Sequence, residues 1–294
     1  MTANALVGAA GPHKRRRRSW AWIGLVPFLA FVGLFLLWPA SASVAGSLFD
    51  DGFTLANLRR AMSPPYSSSF VTSIRLSAIT AVVGGAVGTA VAYAITLLER
   101  PRWLRSAMTA WSGVAANLGG VPLAFAFIAA FGTQGMVTRL LKELGWDIIA
   151  AGFRLSDLWG LVVVYLYFQI PLMLLVMAPA IDGLRPTWRE AASGLGATPA
   201  RYWIHVGLPI LLPSLLGGLL LLFANAFSAY ATAYSLTGGQ ANIVPLQIRF
   251  VLQGNTITGE GDLGNALATW MIVIMAIAVV ANVALQRRTS KWLQ

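Results

Sequence analysis

The 294-residue chain carries 21 Lys and Arg against 10 Asp and Glu, a formal net charge of +11, yet only 11% of its residues are charged and 57% are hydrophobic. A soluble domain needs far more polar surface than this, so the solvent implied by the composition is lipid. The chain has no cysteine, which excludes disulfides and thiolate metal sites.

Residues 1–20 form a basic tail with a Lys/Arg run at 14–18. Such a run could be a nucleic-acid arm, since clustered cations release phosphate counterions. Beside an apolar span it reads instead as a topology anchor in contact with anionic lipid, with no nucleic-acid partner. Ala40-Ser41-Ala42 resembles a processing site. The apolar run from 21 to 38 exceeds the usual signal core, however, so this segment is expected to stay as the first transmembrane helix, 21–46.

An outward loop at 47–70 is expected next, followed by a core at 71–286 and a cytoplasmic tail at 287–294. A bilayer core about 30 Å thick takes about 20 helical residues to cross. Six stretches qualify, at 22–46, 71–98, 106–131, 157–180, 209–236 and 264–286. They are continuously apolar rather than alternating, which excludes a β-barrel and predicts an all-α membrane protein of six transmembrane helices. Small residues such as Gly84, Gly85, Gly88, Gly217 and Gly218 mark places where helices approach closely.

Orientation follows from charge. With both termini cytoplasmic, fourteen of the 21 basic residues lie on the inner side, as the positive-inside rule requires. Residues Trp20, Trp22, Trp38, Trp103, Trp159 and Trp292 fall near span ends, where indole rings anchor at the interface.

Nothing in the chain points to catalysis or to a bound cofactor. His13 and His205 are isolated, and the acidic pairs Asp50–Asp51 and Glu260–Asp262 sit among turn residues with no nucleophile or base beside them. A chain that hydrolysed ATP itself would show a phosphate-cradling loop ending in Gly-Lys-Ser or Gly-Lys-Thr. There is no Gly-Lys dipeptide.

The polar stretch from Glu190 to Pro209, EAASGLGATPARYWIHVGLP, separates two spans. Pro186 can open a short helix over 187–192, and Ala191 and Ala192 leave room for close approach. Gly196 is the better candidate than Gly194 for a left-handed terminator. Thr198 followed by Pro199 is a helix-start signature. A helix-turn-helix finger on the cytoplasmic face is the expected result.

Glu190, Ala191 and Ala192, then Gly196, then Val206, Leu208 and Pro209 closely resemble the EAA loop of ABC importer permeases: Glu-Ala-Ala, three residues, Gly, nine residues, Ile, one residue, Leu-Pro. Val206 stands where isoleucine is usual. The resemblance implies a permease bundle whose finger inserts into an ABC ATPase subunit. It also implies an ATPase dimer, a second permease that is homologous or identical, an extracytoplasmic solute-binding protein, and residence in the bacterial cytoplasmic membrane. The outward segment FTLANL at 53–58 and the stretch ATAYSLTGG at 231–239 are similar to the polyamine-importing branch, although iron, thiamine and aminophosphonate importers share much of this.

A solute pathway is sought among polar residues inside the spans, where burial in lipid is costly. Asn225, Ser228, Thr232 and Ser235 fall on one stripe about 80° wide if the fifth span is one continuous helix. Gln169 precedes Pro171 on the fourth span, and Asn117 precedes Gly119, Gly120 and Pro122 on the third. These groups can line a pathway or bond helix to helix. Tyr165, Tyr167, Tyr230 and Tyr234 can likewise contact a cationic solute or fill the bundle. A secondary transporter would carry a membrane-embedded carboxylate, and the six spans hold none well inside their limits. A non-transporting membrane scaffold is the other alternative.

Overall fold

The computed structural model describes residues 21–49, 52–97, 102–253 and 261–290. The basic run at 14–18, the pair Asp50–Asp51, Glu260 and the last four residues lie outside these.

Among the described residues fourteen α-helices follow in order: α1 (Ala21–Val32), α2 (Trp38–Leu48), α3 (Ala56–Ala61), α4 (Tyr66–Thr96), α5 (Arg102–Asn117), α6 (Gly120–Phe131), α7 (Met136–Glu143), α8 (Leu158–Asp182), α9 (Pro186–Gly194), α10 (Pro199–Tyr202), α11 (Leu208–Ser228), α12 (Ala231–Thr237), α13 (Val244–Gln253) and α14 (Gly261–Ser290). Six helical stretches among the described residues are long and apolar enough to cross a membrane: Gly24–Leu48, Tyr66–Thr96, Gly120–Glu143, Leu158–Asp182, Pro199–Ser228 and Gly261–Arg288. The fold is the expected all-α bundle.

The chain divides into two compact units, residues 1–43 and 44–294. In the first, none of the described side chains is buried, and Phe28, Phe31, Leu34 and Phe35 are all exposed. A helix apolar all round suits lipid or another subunit rather than water.

The second unit is built on α4 and α8, which pack along each other, with α11 against both and α14 against α11. Glycine sets the α4–α8 spacing. A Cβ on Gly88 would lie 2.6 Å from the Met173 Cβ and 2.7 Å from the Ile170 carbonyl oxygen. Close approach of backbones is the main source of helix association where lipid removes the hydrophobic drive. A buried cluster of Ala81, Ala92, Met173, Leu174, Met177, Leu211 and Leu222 fills this seam. A second cluster joins α3, α4, α13 and α14 through Ala61, Phe70, Val244, Val251, Leu263 and Leu267.

Three expected boundaries are corrected. Residues 106–131 do not form one helix: α5 ends at Asn117 and α6 starts at Gly120, whose φ of +71° a side chain would oppose. Residues 209–236 are also interrupted, since α11 ends at Ser228, Ala229 is extended, and α12 starts at Ala231. Finally, 47–70 is not wholly a loop, because it contains α3 and the first turn of α4.

Two spans also share a local device. Five π-helical residues, Gly33–Leu37 and Trp203–Gly207, each precede one further residue and then a proline, Pro39 or Pro209. The Trp38 and Leu208 N–H groups donate five residues back, to Gly33 and Trp203. Widening the turn makes room for a proline ring that would otherwise strike the carbonyl four residues earlier.

Candidate functional site

The finger forms as its sequence requires. Pro186 sits in the first turn of α9, which runs two residues further than expected, to Gly194. Beyond it the Gly196 N–H donates to the Ser193 carbonyl at 3.0 Å and the Ala197 N–H to the Ala192 carbonyl at 2.9 Å. This is a Schellman closure, with Gly196 at φ +76° as its left-handed residue. Thr198 then caps the next helix, its hydroxyl oxygen accepting from the Arg201 N–H at 3.3 Å, with Pro199 in the first turn.

None of the residues of α9 is buried, and Leu195 at the tip is 88% exposed. Glu190 and Ala191 are exposed and Ala192 is half-buried. Val206, Leu208 and Pro209 lie elsewhere, in the widened turn and first turn of the fifth span. The matching pattern therefore covers an exposed finger and the helix that carries it into the bundle.

The base of the finger is tied to the bundle by aromatic and ionic contacts. Trp203 meets Tyr93, near the end of α4, edge to face at 5.1 Å. Arg105 of α5 pairs with Asp182 at the end of α8. Beneath α9 lies a cavity of about 760 Å³ whose wall includes Glu190, Arg185, Arg189, Asp182 and Trp203.

The break before Gly120 and the break after Ser228 meet. The Gly120 N–H, freed where α6 begins, donates to the Thr232 hydroxyl oxygen at 2.8 Å. The Ala229 carbonyl, freed where α11 ends, accepts from the Tyr165 hydroxyl at 3.1 Å. Irregular backbone in a membrane protein is tolerated where it is satisfied by protein or lines a cavity, and here both hold. A cavity of about 340 Å³ opens between the breaks, lined by Asn117, Gly119, Gly120, Phe168, Asn225, Tyr230 and Thr232 among others.

Three comparisons with known proteins bear on this geometry. The family model described as the binding-protein-dependent transport system inner membrane component matches residues 84–291. The chain belongs to that family of ABC importer permeases. Its relatives include a trehalose transport system permease of Mycobacterium tuberculosis, 28% identical over 93% of this chain and 94% of the relative. A spermidine/putrescine transport system permease of Haemophilus influenzae is 24% identical over 80% of this chain and 82% of the relative. In fold, the permease resembles a bacterial ABC transporter that imports the acidic polysaccharide alginate, with a TM-score of 0.71 over 91% of this chain and 95% of that one at 16% identity.

The permease brings together only some of its expected pathway residues. Asn117, Asn225 and Thr232 share the central cavity. Gln169 is fully buried against α4, its amide donating to the Thr80 hydroxyl at 2.9 Å, so it belongs to the α4–α8 seam. Ser228 is exposed and bonds back to the Ala224 carbonyl, while Ser235 is half-buried and outside the cavity wall. The single helical stripe is lost because the break at 229–230 places α12 on its own register. Tyr165 and Tyr167 fill the bundle, the latter edge to face with Phe127 at 5.8 Å.

Residues with no sequence signal of their own complete the finger. Leu195 differs from any other leucine only by sitting beside Gly196, and Trp203 gains meaning only from Tyr93.

Proposed function

We propose that this inner-membrane component is the solute-conducting half of an ATP-driven importer, with α9, Leu195 and Gly196 as the docking finger for a separate ATPase. One observation carries the assignment. The finger's joint is closed by the Gly196 and Ala197 N–H groups and its second helix is capped by Thr198, yet its first helix buries no residue, so its surface is left for another protein. Glu190, Ala191, Ala192 and Gly196 form that surface, and Val206, Leu208 and Pro209 connect it to the fifth span.

ATP is bound and hydrolysed by the partner rather than by this chain. A second permease, homologous or identical, completes the pathway, since one finger would engage half of an ATPase dimer. An extracytoplasmic binding protein delivers the solute. Both termini are cytoplasmic, as the basic residues require, and the central cavity with Asn117, Asn225 and Thr232 is part of the route. The polyamine expectation is one among several: the relatives' names include sulfate, trehalose, molybdenum and spermidine/putrescine. Likeness alone therefore does not choose the solute.

A photo-crosslinking residue placed at Leu195 tests the assignment. It should capture an ATPase that carries a phosphate-binding loop, whereas the same group at exposed Val82 in mid-span should not. Capture at neither position, in membranes where uptake is intact, would remove the docking role.

A further inference from the structure

Tyr230 and Tyr234, four residues apart and astride the start of α12, stack with ring centroids 5.7 Å apart and planes 20° from parallel. Both rings were candidates to hold a cationic solute. The cation on them belongs to the protein: the Arg249 guanidinium of α13 lies 3.8 Å above the Tyr234 centroid and 5.8 Å from that of Tyr230. Its Nε donates to the Gln253 side-chain oxygen at 2.7 Å, which fixes the plane of the fork. A guanidinium keeps its charge at any physiological pH.

This column connects two spaces. Tyr230 forms part of the wall of the central cavity, and Tyr234 and Arg249 form part of the wall of a second cavity of about 310 Å³ with Gly238, Gly239, Leu246, Phe250 and Gln253. Gly239, at φ +85°, lets the chain turn back closely over Tyr234, since a Cβ there would lie 3.0 Å from the ring. Among the described residues, neither cavity is lined by a carboxylate. The polar groups offered are a guanidinium edge, phenol hydroxyls, Asn side-chain amides and the Thr232 hydroxyl.

We propose that the Arg249–Tyr234–Tyr230 column is a selectivity element at the outer end of the pathway, and that the solute it admits is anionic, an oxyanion or a carboxylate. The proposal rests on the permease reading above for the orientation of α13 and for the route through the central cavity. A fixed cation in a cleft with low-dielectric walls focuses its field on arriving solutes. A polyamine would meet like charge, ring faces already occupied by Arg249, and no carboxylate to replace its water. An anion would meet the free edge of the guanidinium and then, past Tyr230, the Asn225 amide, which has no hydrogen-bond partner among the described residues.

The test uses the natural absence of cysteine. A single cysteine at Asn225, in the full transporter in intact cells, is labelled from outside with methanethiosulfonates bearing a sulfonate, a trimethylammonium or no charge. Rates are normalised to a free thiol. The sulfonate should react faster than the ammonium, Arg249→Gln should reduce that preference by about fivefold, and Arg249→Lys should preserve most of it. An unchanged rate with the uncharged reagent shows that Arg249→Gln leaves the cavity intact; if that rate shifts, the Arg249→Lys comparison alone decides. Equal labelling by both charged reagents, or a preference that ignores Arg249→Gln, overturns the charge selection while leaving the route standing. No labelling by any reagent overturns the route and the proposal with it.

Discussion

The finger and the central cavity are both built around glycines with positive φ, yet they arise in opposite ways. At the finger, the turn at Gly196 closes α9 through the Gly196 N–H to Ser193 and the Ala197 N–H to Ala192, all within six residues, and no distant part of the chain is needed. At the cavity, Gly120 also has positive φ, but its N–H is satisfied by Thr232, 112 residues away. Short-range closure leaves a surface free to meet a partner. Long-range closure makes an interior, and the spaces between its elements become the cavity.

The comparison breaks most visibly at Gly196. A β-branched residue in the left-handed region costs at least about 1–2 kcal/mol, and about 1.4 kcal/mol is a tenfold change in an equilibrium. Gly196→Val should therefore lower ATPase association, and uptake with it, by on the order of tenfold or more. Gly196→Asn, which tolerates this conformation better, should lose much less. Membrane abundance should be normal in both. No Cβ contact within 4 Å stands in the way at this position, so equal losses in the two variants would place the defect outside backbone strain.

Burial separates the pathway candidates next. Cysteine at Asn225 should react with a small water-soluble thiol reagent on the order of tenfold faster than cysteine at Gln169, which is sealed in the α4–α8 seam. Similar rates would mean that the seam opens during transport and that Gln169 faces the route after all.

At the cavity, Thr232→Val removes the acceptor of the part-buried Gly120 N–H, at a cost of up to about 1–3 kcal/mol. Thermal unfolding of the detergent-purified chain should move down by several degrees, and Thr232→Ser should restore it. An unmoved transition in Thr232→Val would show that water replaces the hydroxyl.

The smallest expected effect returns to the finger. Thr198→Ala deletes the cap of α10 for about 1 kcal/mol, in a short helix that continues without interruption into the fifth span. ATPase association should weaken by less than on the order of tenfold, with the unfolding transition lowered by no more than about 2–4 °C. A loss as large as that of Gly196→Val would mean that the second half of the finger, rather than its Gly196 joint, sets the docking geometry.

Local chemistry was therefore legible and remote pairing was not. Pro186, Gly196 and the Thr198–Pro199 cap could be read in order because each acts within a few residues of itself. The stripe from Asn225 to Ser235 could not, because it assumed one register through Ala229. Nothing within the fifth span states that the break there will be satisfied by Tyr165 on the fourth span and matched by a break at Gly120. Tyr234 reads as an open aromatic face until α13 brings Arg249 onto it.

By itself, the sequence determined that the chain is a six-span helical membrane protein, because hydrophobic length and the absence of alternation act locally on every segment. It also determined the finger, whose caps and left-handed joint depend on residues at most five apart. Only the tertiary structure decided which polar residues share a cavity. That depends on where two helices stop, and they can stop inside the membrane only when groups far along the chain satisfy the backbone they expose.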